Sequence, residues 1–191
     1  MTVRMMMVAP VATEALREAR FEAGEPPDEA GLVSARAAAG GLPRADRAVS
    51  GPSPRCRLTA RALGLAAREA PELGEWDMGR WRGRSLAEVS RDEPDAVGHW
   101  LTDPSAAPHG GEALTALCAR VGGWLDALPP DTGRLVAVVD PAVARAALVH
   151  ALGLPLPVFW RLDIAPLTLT ELSSRAGRWN LRCGTRLLRE P

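Results

Sequence analysis

The sequence predicts an α/β fold, a three-layer α/β/α sandwich around a mostly parallel central sheet. Three observations carry this. Leu135 to Val139 is an unbroken apolar run, as expected of a strand buried on both faces. Asp140-Pro141 then switches the chain into an apolar helix, with Asp suited to the N-cap and Pro to the first helical position. Finally, strand-like and helix-like stretches alternate along the whole chain. A strand running straight into a helix places Asp140 at the carboxyl end of the sheet, where open α/β folds bind their ligands.

Taken in order, Val3 to Ala9 reads as the first buried strand, ended by Pro10. Thr13 to Arg20 reads as a helix with Thr13 as cap, and Gly24 to Pro27 as a loop. Asp28 caps a helix through about Ala39, closed by Gly40-Gly41 and Pro43. Asp46 to Ser50 is a short strand. Ser53-Pro54 repeats the cap-then-Pro signal and opens a helix to Leu63, ended by Gly64. Gly74 to Arg84 is a glycine- and tryptophan-bearing loop. Leu86 to Arg91 and Asp95 to Leu101 are short helices, and Asp103 to Gly111 is a Pro/Gly-rich loop. Glu112 to Leu128 is amphipathic, with Leu114, Leu117, Cys118, Val121, Trp124, Leu125 and Leu128 on one helical face. The central strand and its helix follow, the helix ending at Gly153 with Pro155 behind it. Phe159 to Asp163, Leu167 to Leu172 and Trp179 to Cys183 read as the remaining strands.

Composition narrows the function classes. All 23 basic residues are Arg, and Tyr and Gln are absent, the mark of a GC-rich, bacterial-like coding background. The formal net charge of zero argues against a nucleic-acid partner. Cys56, Cys118 and Cys183 fit neither a disulfide framework nor a zinc spacing, which suits a reducing cytoplasm. The apolar start is too short for a signal peptide, and no stretch is long enough to span a membrane.

Four collinear segments resemble one family. Ser50-Gly-Pro-Ser-Pro-Arg-Cys-Arg-Leu-Thr-Ala60 is similar to the S-S-P-x-x-R-A-x-Q-T-A segment of the histidine phosphatase superfamily, also called phosphoglycerate mutase-like. Leu73 to Gly83 resembles its L-x-E-x-x-x-G-x-W-x-G segment, and Pro108 to Glu112 its P-x-G-E-S segment. Val138 to Leu148 resembles V-S-H-G-G-x-I-R-A-L-L. The resemblance covers nearly the whole chain. It implies a single phosphoglycerate mutase-like domain over residues 1–191, with about 85–111 a small helical and loop excursion over the pocket.

The departures from the family pattern bear on function. Where the family's first strand ends in R-H-G-E-T, this chain has Ala9 for the arginine, Pro10 for the nucleophilic histidine and Val11 for the glycine, and keeps Thr13. Asp140 stands for the second histidine. Arg55 matches the second arginine, and Glu75 matches the acidic residue that is the usual proton donor. The resemblance implies a covalent phosphohistidine reaction, which needs a nucleophile that proline lacks and positive charge around the phosphoryl oxygens. The retained pocket counts one plus, Arg55, against two minuses, Glu75 and Asp140. Loss of a nucleophile typically costs on the order of 10³- to 10⁶-fold in rate.

Several of these residues read two ways. Asp140 is a base or ligand, or a helix cap complete in itself; the cap is the favoured reading, and the two roles are compatible. Glu75 is an acid or base, or a solvated or Arg55-paired carboxylate. Arg55 sits at the wrong end of its helix for the dipole, which favours a site role or a buried pair with Glu75. His109 is the histidine placed for acid–base work near Glu75, or a solvated loop residue. Trp76 and Trp81 wall a pocket or fill the core; Arg80, Arg82 and Arg84 edge a loop or clamp an anion; His99 and His150 are packing or surface.

The resulting expectation is a catalytically degenerate, histidine phosphatase-like protein without phosphatase or mutase activity. It would act as a small-molecule-binding or protein-interaction module, with Arg55, Thr13, Glu75 and Asp140 as ligand-binding residues. The alternative is a repurposed enzyme using Glu75, Asp140, Arg55 and His109 for non-phosphoryl acid–base chemistry, with residual phosphatase activity placed below both. No cofactor and no metal are expected, nor a nucleic-acid or membrane partner. The family resemblance is compatible with a homodimer, and no surface stripe compels one.

Overall fold

The computed structural model describes residues 2–183. The apolar run becomes β4 (Arg134–Val138), which lies between β1 (Thr2–Val8) and β2 (Arg47–Ser50) and is parallel to both. β3 (Arg68–Glu69) extends the sheet beside β2 in parallel. On the other side β5 (Leu169–Arg175) is antiparallel to β1, and β6 (Arg178–Arg182) antiparallel to β5. The order is β3-β2-β4-β1-β5-β6, so five of the six strands point one way.

Period-two alternation decides the layers. Met5 and Met7 of β1, with Leu135 and Ala137 of β4, belong to one core cluster. It also takes the buried stripe of α6 (Leu114–Asp126) and most of α7 (Pro141–Ala151). Met6, Val8, Val136 and Val138 point the other way, towards Ala35 of α2 (Glu29–Ala38) and Cys56 and Ala60 of α3 (Pro54–Ala62). Burying each large apolar side chain contributes about 1.5–3 kcal/mol. A polar residue at any of positions 135–138 of β4 would forfeit that against one helix layer or the other.

The caps form largely as the sequence suggests. The Asp28 carboxylate accepts from the Gly31 N–H at 2.7 Å, and the Ser53 hydroxyl from the Cys56 N–H at 3.3 Å with Pro54 behind it. α4 (Leu86–Asp92) opens with a full capping box between Ser85 and Glu88, and α5 (Pro94–Thr102) follows. Among the described residues no helix is long and apolar enough to cross a membrane.

Three elements differ from expectation. Phe159–Asp163 is not a strand; Leu156–Arg161 forms 3-10 turns, because Pro155 and Pro157 cannot donate to a ladder. The helix after Thr13 is the single turn α1 (Glu14–Arg17), stopped where Ala19 takes φ +52°. β5 starts at Leu169, not Leu167, since Leu167 has φ +54° while its N–H bonds back to the Ala9 carbonyl. The two-residue β3 has no sequence signal beyond its position.

Loop 18–24 is docked on the segment 83–85. Phe21 exchanges backbone hydrogen bonds with Gly83 and Arg84, and Arg20 bridges to Ser85. The Asp77–Gly79 and His109–Glu112 loops touch backbone to backbone: Arg80 donates to the His109 carbonyl, and Glu112 to the Asp77 carbonyl. A Cβ at Gly111 would run into that same Asp77 carbonyl, so the close approach requires glycine.

Candidate functional site

The carboxyl ends of β2 and β4 and two loops converge on Arg55. Ser50 ends β2, and Ser53-Pro54 starts α3, which sets Arg55 in its first turn. Val138 ends β4, and Asp140 precedes α7. Glu22 arrives on the docked loop after α1, and Glu75 on the loop before Trp76. Every nitrogen of the Arg55 guanidinium is then used: Nε donates to Asp140 at 2.5 Å, Nη1 to Glu22 at 2.6 Å and Nη2 to Glu75 at 2.9 Å.

Asp140 takes the N-cap position of α7, as the sequence suggests, while its carboxylate is turned to the cluster. The residue has N-cap backbone angles, but its side chain makes no capping bond. Pro141 removes one N–H from the helix start, and the carboxylate turns instead to Arg55 and to the Ser53 hydroxyl, which donates at 3.2 Å. Asp140 is fully buried, and Arg55 is 6% exposed. A buried charge at this depth requires partners, and these groups are one another's.

The electrostatics follow from crowding. Burial opposes the Arg55 cation, but Asp140, Glu75 and Glu22 more than offset it, so the guanidinium is held firmly charged. Burial, then the Asp140 charge, push Glu75 up to about 8, against the pull of Arg55. Glu75 is thus a carboxylic acid at neutral pH. Cys56, next in sequence to Arg55, is no nucleophile, since burial pushes its thiol up.

Above this ionic floor lies a cavity of about 250 Å³. Its walls are aromatic: Phe21, Trp76, Trp100, Phe159 and Trp160 line it with Glu22, Arg55, Glu75 and Asp140. Trp100 and Trp160 meet edge to face at 4.7 Å, and Trp76 lies 5.6–5.8 Å from both. Arg145 of α7 is also in the lining, its guanidinium 5.8 Å from the Phe159 ring centre.

The remaining expected residues lie elsewhere. Thr13 is fully buried and outside the cavity lining. Its hydroxyl caps α1 and donates to Glu22 at 2.5 Å, so it orients a carboxylate. His109 is neither beside the cavity nor solvated. It is 1% exposed against Trp81 at 5.1 Å, with Nδ1 accepting from Gly111 and Nε2 unpartnered, and burial holds it neutral. Ala9, Pro10 and Val11 are buried at the end of β1 and offer no nucleophile. Trp81 is core, while Trp76 is wall. Arg80 and Arg84 pair with Glu93; His150 pairs with Asp126 at 3.0 Å and His99 is exposed. The P-x-G-E segment acts structurally, with Glu112 receiving two bonds from Arg120 and its carbonyl one from the Trp76 indole. Among the described residues no group of three or more His, Cys, Asp and Glu is placed to hold a metal.

Sequence reasoning missed Glu22 and Arg145. Glu22 lies in a loop without periodicity and gave no signal. Arg145 did give one, as the sole charge in an otherwise apolar helix, one turn from Asp140-Pro141.

Comparison with known proteins fits this architecture. The family model of the histidine phosphatase superfamily (branch 1) matches residues 12–185. A bifunctional protein of Mycobacterium tuberculosis is 32% identical over 181 residues, covering 88% of this chain and 50% of its own. The chain therefore spans about half the length of the curated relatives it matches most fully. A glucosyl-3-phosphoglycerate phosphatase of the same organism is 39% identical over 57 residues, 30% of this chain and 26% of its own. The structure of a mycobacterial glucosyl-3-phosphoglycerate phosphatase superposes with TM-score 0.80 at 26% identity, covering 95% and 97% of the two chains. An alpha-ribazole-5'-P phosphatase of Escherichia coli shares the fold at TM-score 0.84 and 19% identity, with 94% of each chain covered.

Proposed function

We propose, from the premise that this chain belongs to the histidine phosphatase superfamily (branch 1), that it binds a non-phosphoryl small molecule in the old pocket and transfers no phosphate. The observation that carries this is the state of Arg55. Each of its three nitrogens is engaged by an acidic side chain, so the two N–H groups it has left lie among Glu22, Glu75 and Asp140, where a phosphoryl oxygen is poorly received. A phosphate dianion would have to displace groups of its own sign. The end of β1 supports the same reading, since Ala9, Pro10 and Val11 supply neither nucleophile nor charge. The phosphatase names of relatives speak for the scaffold's ancestry.

Orthovanadate, which mimics the phosphoryl transition state, tests the proposal by thermal shift. A ligand at a hundred times its Kd stabilises by about 2.7 kcal/mol, a shift of several degrees for a chain of this size. The expected result is no shift, and stabilisation by vanadate would sink the reading. A companion variant restores the family pattern with Ala9→Arg, Pro10→His, Val11→Gly and Asp140→His. Hydrolysis of p-nitrophenyl phosphate is expected from that variant alone.

One observation favours a second reading, an enzyme of non-phosphoryl acid–base chemistry. Glu75, whose carboxyl is pushed up to about 8 by burial and by Asp140, has the character of a general acid. Glu75→Gln separates the two: under the enzyme reading it abolishes turnover of any bound compound without abolishing its binding.

A further inference from the structure

Resting on the binding function above, we propose that the cavity takes a zwitterionic amine. Its ammonium would sit on the carboxylate floor, its apolar body between the tryptophans, and its anionic group at Arg145.

The floor asks for a donor. Glu22 and Glu75 each spend one oxygen on Arg55, and their second oxygens, Oε2 in both, accept no hydrogen bond from any described residue. Both residues line the cavity. Glu22 Oε2 accepts directly, and a cation beside Glu75 favours its carboxylate over its protonated form, so that its Oε2 accepts as well; both favour an N–H-bearing cation and disfavour an anion. The walls suit the same molecule, because Trp76, Trp100 and Trp160 supply aromatic surface against which an alkyl body packs, and which tolerates a nearby cation.

Arg145 asks for the opposite charge. The other lining cations are matched, Arg55 by three carboxylates and Arg20 by Glu18 at 2.5 Å. Arg145 is half-buried, has no carboxylate within 4 Å among the described residues and hydrogen-bonds to none of them. A simple amine would leave this cation uncompensated beside its own charge, and a simple carboxylate would leave the floor unmatched. A molecule with both charges answers both. The volume, about that of eight waters at ~30 Å³ each, suits an amino-acid-sized molecule.

Isothermal titration and thermal shift on the full chain test this with glycine, γ-aminobutyrate, ε-aminocaproate, leucine and phenylalanine against hexylamine and hexanoate. At least one zwitterion is expected to bind, hexylamine more weakly and hexanoate not at all. Glu22→Gln or Glu75→Gln should weaken the zwitterion about tenfold or more. Arg145→Gln should bring the zwitterion down to the level of hexylamine, while hexylamine's own affinity holds or rises as a like charge is removed. Arg145 is only half-buried, so that variant tests the idea even if the floor variants fail to fold. Binding of hexanoate as tight as the zwitterion, an equal loss of hexylamine in Arg145→Gln, or no binding across the panel would each overturn the inference. Vanadate run in parallel keeps the two proposals apart. Its binding sinks the non-phosphoryl reading itself, whereas its absence together with silence from the amines sinks this inference alone.

Discussion

Arg55 stands in the first turn of α3, where the helix dipole opposes a cation, and three carboxylates compensate. Removing it should be the most damaging change in the site. Arg55→Ala leaves Glu22, Glu75 and Asp140 facing one another and is expected to cost about 3–5 kcal/mol in urea denaturation. Asp140→Ala leaves Arg55 its contacts with Glu22 and Glu75 and should cost about 1–3 kcal/mol. Glu75 supplies a pH signature. Its folded-state pKa of about 8 lies above the ordinary carboxylate value of 4.5, so the folded chain holds a proton that the unfolded chain releases. The stability this contributes is complete below about pH 4.5 and is lost as pH rises through 8. The melting temperature of the native chain, relative to Glu75→Gln, should therefore fall across that window; parallel curves would refute the protonated state. Asp140 also shows where sequence stops. Its position at a strand end was legible, but its partner Arg55 is 85 residues away, and nothing local distinguishes a capping carboxylate from one turned to a distant guanidinium.

Among the elements, those with a complete local signal were read correctly. The caps at Asp28 and Ser53, the α6 stripe and the glycine stop of α7 each depend on neighbours within a few residues. The segment at 156–161 was misread because aromatic and apolar residues suggested a strand while two prolines governed the backbone. The loops that build the site were opaque for a related reason. They are shaped by backbone contacts between 77–79 and 109–112 that no periodicity encodes. A pair of glycines separates these regimes. Gly98, in the exposed face of α5 with open space around it, is expected to gain about 0.5–1 kcal/mol on change to Ala. Gly111→Ala, blocked by the Asp77 carbonyl, should lose about 1–3 kcal/mol. Melting temperatures of the two variants on either side of the native value would confirm the contrast.

At the scale of the molecule, the α/β/α layering was legible because burial on both faces of β4 leaves no other arrangement, and the order of motifs placed the strand ends together. What the sheet brings together was only half legible. Arg55, Glu75 and Asp140 do meet, whereas His109 belongs to the core beneath its loop and Glu22 and Arg145 complete the chamber instead. The chamber's walls have an optical consequence. The chain has six tryptophans and no tyrosine, and three of those indoles, Trp76, Trp100 and Trp160, face the same cavity within 6 Å of one another. Its ultraviolet emission thus comes from indole, and half of the emitters border the cavity proposed above as the ligand site. An occupant that excludes water or brings charge to those rings alters the colour and yield of that light, and rings this close also couple in near-ultraviolet circular dichroism. The protein carries its own reporter, and occupancy can be followed with no label attached.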